Sequence, residues 1–246
     1  MLKVLRSPIT TAILFVAAAA LLAFGGIGAV QAAPRIQSSD YRAEVVLTNI
    51  ETALTEYGEV REGDDDLVKN TLLANNKDAN GNVDDSLKIG KKYDYTLGVR
   101  NVGVSAKNGI DQYVRVTVYK YWVLVDDEGN VITDKNGKVK DCGLDPSLID
   151  LHFVEGKGWA IDKDASTDER TVLYYDKALA PDGGDSTPLT DTLRIDPKVL
   201  KEITDASSGL DYDYDKVEFR IKATVDAVQT HNPKLAMTSA WGRTNA

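Results

Sequence analysis

Residues 219–242 read FRIKATVDAVQTHNPKLAMTSAWG, and the first half of this segment shows most clearly what kind of fold the chain forms. From Val217 to Val228, apolar or small residues alternate with polar ones, a period of two that is typical of a strand with one buried face. Asn232 and Pro233 have the residue types of a helix N-cap and a first helical position, and Gly242 has that of a helix end. A strand that leads into a short terminal helix is therefore predicted.

Other segments of the chain repeat this alternation between turns rich in Gly, Asp, Asn and Pro. Asp145-Pro146 is a helix start, and Asn136-Gly137 predicts a hairpin turn of type I′. Many short strands with little helical periodicity favour an all-β fold, an antiparallel β-sandwich of jelly-roll type with short peripheral helices. The further strand segments are 41–50, 93–99, 113–125, the very short 131–133, 171–175 and 186–195. Residues 144–153 are predicted to return to alternation after the helix start at Asp145-Pro146.

The N-terminus has the pattern of a secretory signal peptide. Lys3 and Arg6 form a basic start, Ala12 to Phe24 is an uninterrupted apolar run, and Val30-Gln31-Ala32 supplies small residues before a cleavage point. Cleavage is predicted between Ala32 and Ala33, because cleavage one residue later would place Pro34 at the scissile bond.

Residues 1–32 are therefore interpreted as a signal peptide and residues 33–246 as a single domain. Residues 33–40 are predicted to be a flexible N-terminal segment of that domain. An alternative is an uncleaved membrane anchor, because the uncharged run from Ser7 to Ala33 is long enough to span a bilayer.

Charge and cysteine content limit the partners of the exported chain. Without Lys3 and Arg6, the 29 Lys and Arg residues fall to 27 against 38 Asp and Glu, which leaves a net charge of −11. This charge disfavours nucleic acid as a partner. Cys142 is the only cysteine, so no intramolecular disulfide is predicted; it is interpreted as a loop thiol, with a cross-link between two chains as the alternative.

Residues 61–87 are rich in Asp and Asn and are predicted to form an acidic surface insertion, with a helical turn around 67–74. Within it, Asn76, Asp78 and Asn80 resemble the start of a calcium loop. The match is partial, because Leu87 stands where a bidentate Glu is expected. A solvated acidic loop without an ion is the preferred interpretation, and no cofactor is predicted.

Motifs of catalysis are missing from the sequence. His152 and His231 are the only histidines, and no HExxH, GxSxG, Walker or dinucleotide-binding motif occurs. The two histidines could bind a metal only if the fold brought them together; His231 is instead interpreted as a hydrogen-bonding residue at the corner before the terminal helix. Tyr119, Tyr121 and Trp122 lie in a strand pattern and are predicted to pack in the core.

Several segments together resemble the TasA and camelysin-like family of exported Gram-positive proteins, which are processed by a signal peptidase of the SipW type. The similar segments are YRAEVVLTNIETAL (41–54), DQYVRVTVYKYW (111–122), LDPSLIDLHF (144–153), GWAID (158–162), TDERTVLYY (167–175), VDAVQTHN (225–232) and AWG (240–242). They span most of the mature chain in the order of the family, whereas residues 61–87 look like an insertion.

The resemblance implies a secreted jelly-roll protein that stays at the cell surface of a Gram-positive bacterium or assembles into fibres of the biofilm matrix. In fibre-forming members, the freed N-terminal segment completes the sheet of the next subunit. The segment that matches here is Ala33 to Asp40, with Ile36 as its large apolar residue. The residues expected to contact the next subunit are Ala33, Pro34, Arg35, Ile36 and Gln37.

Three functions remain open from the sequence. The first is a structural matrix protein that self-associates into fibres, and the second is a monomeric surface binding or adhesion module that contacts other matrix or cell-wall components. The third is a hydrolase, because the family carries a metalloprotease label. Since no HExxH is present, no catalytic residue is assigned and no enzymatic activity is predicted.

Overall fold

Antiparallel strands dominate the computed structural model, which describes residues 50–61, 71–84, 86–140, 142–200 and 216–244. All of these residues belong to one unit, Val46–Ala246. The strands are β1 (Thr52–Glu56), β2 (Glu59–Val60), β3 (Lys92–Asp94), β4 (Leu97–Asn101), β5 (Gln112–Leu124), β6 (Ile149–Phe153), β7 (Trp159–Ile161), β8 (Arg170–Tyr175), β9 (Thr190–Ile195) and β10 (Val217–Gln229). The helices that lie wholly within these residues are α1 (Leu72–Asn75) and α2 (Pro233–Trp241), with 3₁₀ turns at Ser105–Lys107 and Pro146–Leu148. Residues 198–200 are also helical.

The described strands form three antiparallel sheets that share one hydrophobic core. Their orders are β2-β1-β4, β10-β5-β8-β7 and β3-β9-β6. Val99, Val116 and Leu193, one from each sheet, are fully buried in the same cluster. Sheets that pack face to face over one core have the arrangement of a β-sandwich. The all-β antiparallel prediction is confirmed, and the jelly-roll connectivity stays a prediction.

The longest strands, β5 and β10, pair along their whole length, from Val217 opposite Leu124 to Gln229 opposite Gln112. Alternation explains both, because each strand places every second side chain on the core side of the sheet. On β5 these side chains include Val114, Val116 and Val118, which are at most 1% exposed. The strand predictions for 113–125 and 217–228 are confirmed.

The prediction of one strand over residues 93–99 is wrong, because the chain changes sheets at Tyr95. The Tyr95 N–H donates to the Asp191 carbonyl (2.9 Å), and the Tyr95 carbonyl accepts a hydrogen bond from the Thr190 hydroxyl (2.9 Å). β3 therefore ends beside β9, and β4 begins in the sheet of β1. The alternation continues through the break because Tyr95 is itself fully buried.

The type I′ prediction for Asn136-Gly137 is also wrong. Gly137 has a positive φ (78°), whereas Asn136 does not, and a type I′ turn needs a positive φ at both central residues. Asp134 instead closes a five-residue turn, in which its N–H donates to the Lys138 carbonyl (2.7 Å). A turn that does have two positive φ values is Tyr57-Gly58 (52° and 83°), between β1 and β2.

The terminal helix α2 begins at Pro233 and ends before Gly242, which has a φ of 71°, as predicted. Asn232 does not cap the helix with its side chain, which corrects that expectation. Trp241 packs edge-on against Tyr174 (5.4 Å between ring centroids), and the Arg243 guanidinium lies 4.0 Å from the Tyr174 ring centroid. These contacts hold the helix on the four-stranded sheet.

The described part of the insertion is anchored to the sandwich. Leu72, in α1, is 1% exposed and belongs to the core cluster. The buried Glu56 carboxylate accepts a hydrogen bond from the Thr71 hydroxyl (2.6 Å) and lies 3.4 Å from the Arg61 guanidinium. Burial, together with the nearby Glu56 charge, raises the pKa of the Tyr95 phenol well above its ordinary value. One buried carboxylate thus binds residues on both sides of segment 62–70.

Candidate functional site

β10 is the candidate site, because half of its main-chain N–H and C=O groups point away from its neighbour β5. The Val125 N–H donates to the Lys216 carbonyl (2.9 Å), which fixes the phase of the ladder between β5 and β10. In an antiparallel ladder the bonded residues alternate, so even-numbered residues of β10 bond to β5. The N–H and C=O groups of Phe219, Ala223 and Val225 therefore point away from β5. Within the described residues, the sheet has no strand beyond β10.

At three paired positions the core is less covered beside β10 than beside β5. Val114, Val116 and Val118 of β5 are at most 1% exposed. Their register partners on β10 are Ala227, Val225 and Ala223, whose side chains face the same core but are only half-buried. An added strand would therefore cover apolar surface as well as main-chain groups.

The sequence pattern predicted β10 as a strand but did not predict its position, which is at the edge of the sheet that the described residues form. A signal was present in its outward-facing residues, which include Glu218 and Asp226 along with Arg220 and Lys222. Charged side chains are a common protection of edge strands against unwanted pairing. Asp226 accepts a hydrogen bond from Arg115 of β5 (2.6 Å), so part of this charge also ties the edge strand to its neighbour.

The predicted contacts Ala33, Pro34, Arg35, Ile36 and Gln37 lie outside the described residues, as do residues 1–32 with the predicted cleavage site at Ala32. The subunit contacts and the cleavage site stay predictions. None of the helices in the described ranges is long and apolar enough to cross a membrane.

The three calcium candidates do not point at a common centre. The Asn76 side chain bridges to β3, because its Oδ1 accepts from the Asp94 N–H (2.7 Å) and its Nδ2 donates to the Asp94 carbonyl (2.8 Å). The Asp78 Oδ1 accepts from the N–H groups of Asn80 and Asn82 (2.8 Å each). Hydrogen bonds from Asn82, first that of its main chain, lower the pKa of Asp78. Asn76 and Asp78 thus serve the fold, and Asn80 lies exposed at the turn.

The two histidines lie in different places. His152, on β6, has its Nδ1 2.7 Å from the Asp191 Oδ1, and both side chains are exposed. Partial burial opposes it, but the hydrogen bonds with His152 and Thr192 lower the pKa of Asp191. His231 lies exposed before α2, where no hydrogen bond of its side chain is seen among the described residues. Among those residues, no group of three His, Cys, Asp or Glu side chains could hold a metal ion.

The remaining candidates, one cysteine and three aromatic residues, have side chains that are buried or half-buried. Cys142 lies in a loop, as predicted, and its side chain is 3% exposed in the core cluster. Trp122 packs in the core as predicted, with its Nε1 donating to the Asp145 carbonyl (3.0 Å). Tyr119 and Tyr121 are half-buried on the opposite face of β5, because alternation places odd-numbered residues of that strand outward.

Comparisons with known proteins add no relative. No family model, no curated protein and no solved structure matches this chain. The resemblance to the TasA and camelysin-like family therefore stays a prediction that rests on the segments quoted above.

Proposed function

We propose that the mature chain is a secreted structural protein of the cell surface or biofilm matrix. In this proposal, residues Ala33 to Asp40 of one subunit add as a strand to β10 of the next subunit, and repetition of this contact builds a fibre. The signal peptide pattern and the family resemblance support the location. The side of β10 away from β5, which no described strand covers, supports the mode of assembly.

The proposal rests on two properties of β10, the direction of its main-chain groups and the partial burial of its side chains. Its odd-numbered residues direct their main-chain donors and acceptors away from β5, and Ala223, Val225 and Ala227 among them present half-buried side chains to the core. A strand added there would gain ladder hydrogen bonds and bury apolar surface in one step. Strand addition to a sheet edge uses this combination: main-chain bonds give affinity and alternate side chains give register.

The donor segment has one feature that suits this role and one that limits it. Ile36 is its large apolar residue and would lie over the small side chains of Ala223 or Ala227, which leave the core half-covered. Pro34 has no N–H and cannot donate to a ladder, so it belongs at the end of the added strand. The pairing region is therefore centred on Ile36.

Two variants test the proposal: one lacks the donor segment, and the other has an acceptor strand that cannot pair. Deletion of 33–40 removes the donor and leaves β10 unchanged. Ala223→Pro leaves the donor unchanged and places a ring where the next strand would bond. Because the Ala223 N–H points away from β5, this change removes no hydrogen bond of the existing ladder. Each variant alone is expected to stay monomeric in light scattering, and an equal mixture is expected to form one-to-one dimers.

Filaments of the deletion variant that match those of the intact protein in electron microscopy would show the donor assignment to be wrong. Ile36→Ser, with Gln37→Ser as the matched control, narrows the test to one side chain: the first variant is expected to lose fibres and the second to keep them. An intact mature protein that stays monomeric at all concentrations would instead favour a monomeric binding or adhesion module.

The proposed assembly uses only groups of the chain itself, so it needs no cofactor and no catalysis. Fibre formation is expected to be equal with calcium and with a chelator.

The purified mature protein is expected to leave casein uncleaved. Chelator-sensitive cleavage that is lost in His152→Ala or His231→Ala would establish a metalloprotease instead.

Secretion has its own test. Mass spectrometry of the protein recovered from a Gram-positive host is expected to find Ala33 as the first residue. A mature chain that starts after Asp40 would lack the donor, which would contradict the assembly proposal while leaving secretion intact.

A further inference from the structure

Three turns of this protein have the same hydrogen-bond pattern, at 78–82, 126–130 and 134–138. In each, the N–H of the first residue, an Asp, donates to the carbonyl of the fifth residue, and the N–H of the fourth residue, a Gly, donates to the Asp carbonyl. One carboxylate oxygen of the Asp also accepts from the N–H groups of the third and fifth residues, over 2.8–3.1 Å. An Asp that bonds the main chain two residues on is a common way to fix a turn.

The three turns differ at the third residue. Two of them contain Asn80-Gly81 and Asn136-Gly137, and the other contains Glu128-Gly129. In an Asn-Gly pair, the Gly main-chain nitrogen can attack the Asn side-chain carbonyl carbon, form a cyclic imide and expel ammonia. Water then opens the imide to Asp or to isoaspartate. Gly favours this reaction because it has no Cβ to obstruct the attack, whereas Glu lacks the amide leaving group.

In the folded turn, hydrogen bonds keep the Gly nitrogen from reaching the Asn side-chain carbonyl carbon. The Gly137 N–H is bonded to the Asp134 carbonyl (2.9 Å), and the Asn136 N–H is bonded to the Asp134 Oδ1 (2.8 Å). Asp78 binds Gly81 (2.9 Å) and Asn80 (2.8 Å) in the same way. These bonds fix the main-chain rotation of the Asn that imide formation requires to change.

Crowding does not provide the protection. Asn80 and Asn136 are exposed, and a Cβ added at Gly81 or Gly137 would meet nothing within 4 Å. These two glycines are needed for their positive φ values, 82° and 78°. Space for the imide is therefore present at both turns, and the hydrogen bonds of the Asp are what hold the main chain.

We propose that Asn80 and Asn136 are imide-forming modification sites that Asp78 and Asp134 keep unreactive in the folded protein. Conversion at either site would insert an isoaspartate or a new carboxylate into the turn. An isoaspartate lengthens the main chain by one carbon, so the five-residue pattern of hydrogen bonds would be lost.

Removal of one carboxylate tests the proposal. Asp134→Ala in the mature protein, incubated in mildly alkaline buffer and analysed by peptide mapping, is expected to form isoaspartate at residue 136 several-fold faster than the unmodified protein. Asn80 in its intact turn is the internal control and is expected to react at the original rate. Asn108-Gly109 is a second control, because its Gly N–H bonds to the Val104 carbonyl without any carboxylate.

The conservative variant separates a local from a general effect. Asp134→Asn keeps a side-chain oxygen that can accept the same two N–H groups and is expected to keep residue 136 slow. An unchanged rate at residue 136 in Asp134→Ala would overturn the proposal. Equal acceleration at residues 80, 108 and 136 would also overturn it, because the change would then have loosened the whole fold.

Discussion

β5 and β10 are the same length, 13 residues each, and pair residue by residue, yet they occupy opposite situations. β5 lies between β10 and β8, whereas β10 lies at the edge of the described sheet. Val116 and Val225 are directly opposite each other; Val116 is fully buried and Val225 is half-buried. Alternation therefore determines which face of the sheet a side chain lies on, while the number of neighbouring strands determines how much of that side chain is buried.

The main chain shows the same contrast. The Lys120 N–H of β5 donates to the Glu169 carbonyl (2.9 Å) at the start of β8, so even-numbered residues of β5 bond to β8 and odd-numbered residues to β10. β5 thus uses both of its sides over the stretch that β8 covers. Among the described strands, β10 bonds only to β5, on one side, and the proposed assembly depends on its other side.

The largest difference is expected from proline at two paired positions. Val118→Pro removes an N–H that bonds to β8 and a buried side chain in the middle of the sheet, so we expect no folded protein. Ala223→Pro, at the opposing position, removes no ladder bond and is expected to fold. Circular dichroism and size-exclusion chromatography check both variants. Unfolding of Ala223→Pro would mean that the outer side of β10 is already paired within the subunit.

The second comparison uses one substitution at two valines. Val116→Ala deletes fully buried methyl groups and is expected to lower the free energy of unfolding by about 2–3 kcal/mol, from lost transfer energy and a residual cavity. Val225→Ala is expected to cost about 1 kcal/mol or less, because its side chain is half-exposed. Urea unfolding of the monomers measures both values, and equal costs would contradict an open edge at β10.

Sequence reasoning recovered the parts of this fold that depend on local patterns. Alternation found β5 and β10, and Asp145-Pro146 marked the 3₁₀ turn at Pro146–Leu148, where the Asp145 side chain accepts from the Ser147 N–H (2.8 Å). The break at Tyr95 was missed because it depends on Thr190 and Asp191, which are distant in sequence.

The candidate site was less predictable than the fold. The edge position of β10 depends on the order of strands in the sheet, which no local pattern encodes. The charges at Glu218 and Asp226 are typical of an edge strand. The alternation alone does not use them, because it depends only on which residues are apolar. Asn76 resembled a calcium ligand because its residue type suits that role, but the fold uses both ends of its amide on Asp94.

A third comparison uses the two glutamines that end the ladder. Gln112 is fully buried, with its Nε2 donating to the Asn101 Oδ1 (3.0 Å), whereas its partner Gln229 is half-buried. Gln112→Ala is expected to cost about 1–3 kcal/mol, because a buried acceptor loses a donor. Gln229→Ala is expected to stay within about 0.5 kcal/mol of the unmodified protein. Thermal unfolding of both variants measures the two costs. A larger cost for Gln229→Ala than for Gln112→Ala would mean that Gln229 is the better-packed residue of the pair, which contradicts an edge position of β10.

The smallest expected effect concerns the ion pair that joins the two strands. Arg115 and Asp226 are 2.6 Å apart with side chains 27% and 47% exposed, and Arg100 and Asp185 form a similar pair, 2.7 Å apart and 29% and 49% exposed, away from β10. Exposed pairs contribute little and are screened by salt, so Asp226→Asn is expected to lower the free energy of unfolding by about 0.5 kcal/mol at low ionic strength and by less at high ionic strength. Asp185→Asn is expected to have a similarly small effect that salt also weakens. Urea unfolding at two salt concentrations measures this. If Asp226→Asn alone cost much more and kept its effect in salt, water would be excluded from the edge of β10 in the monomer, and the edge would no longer be available to a second subunit.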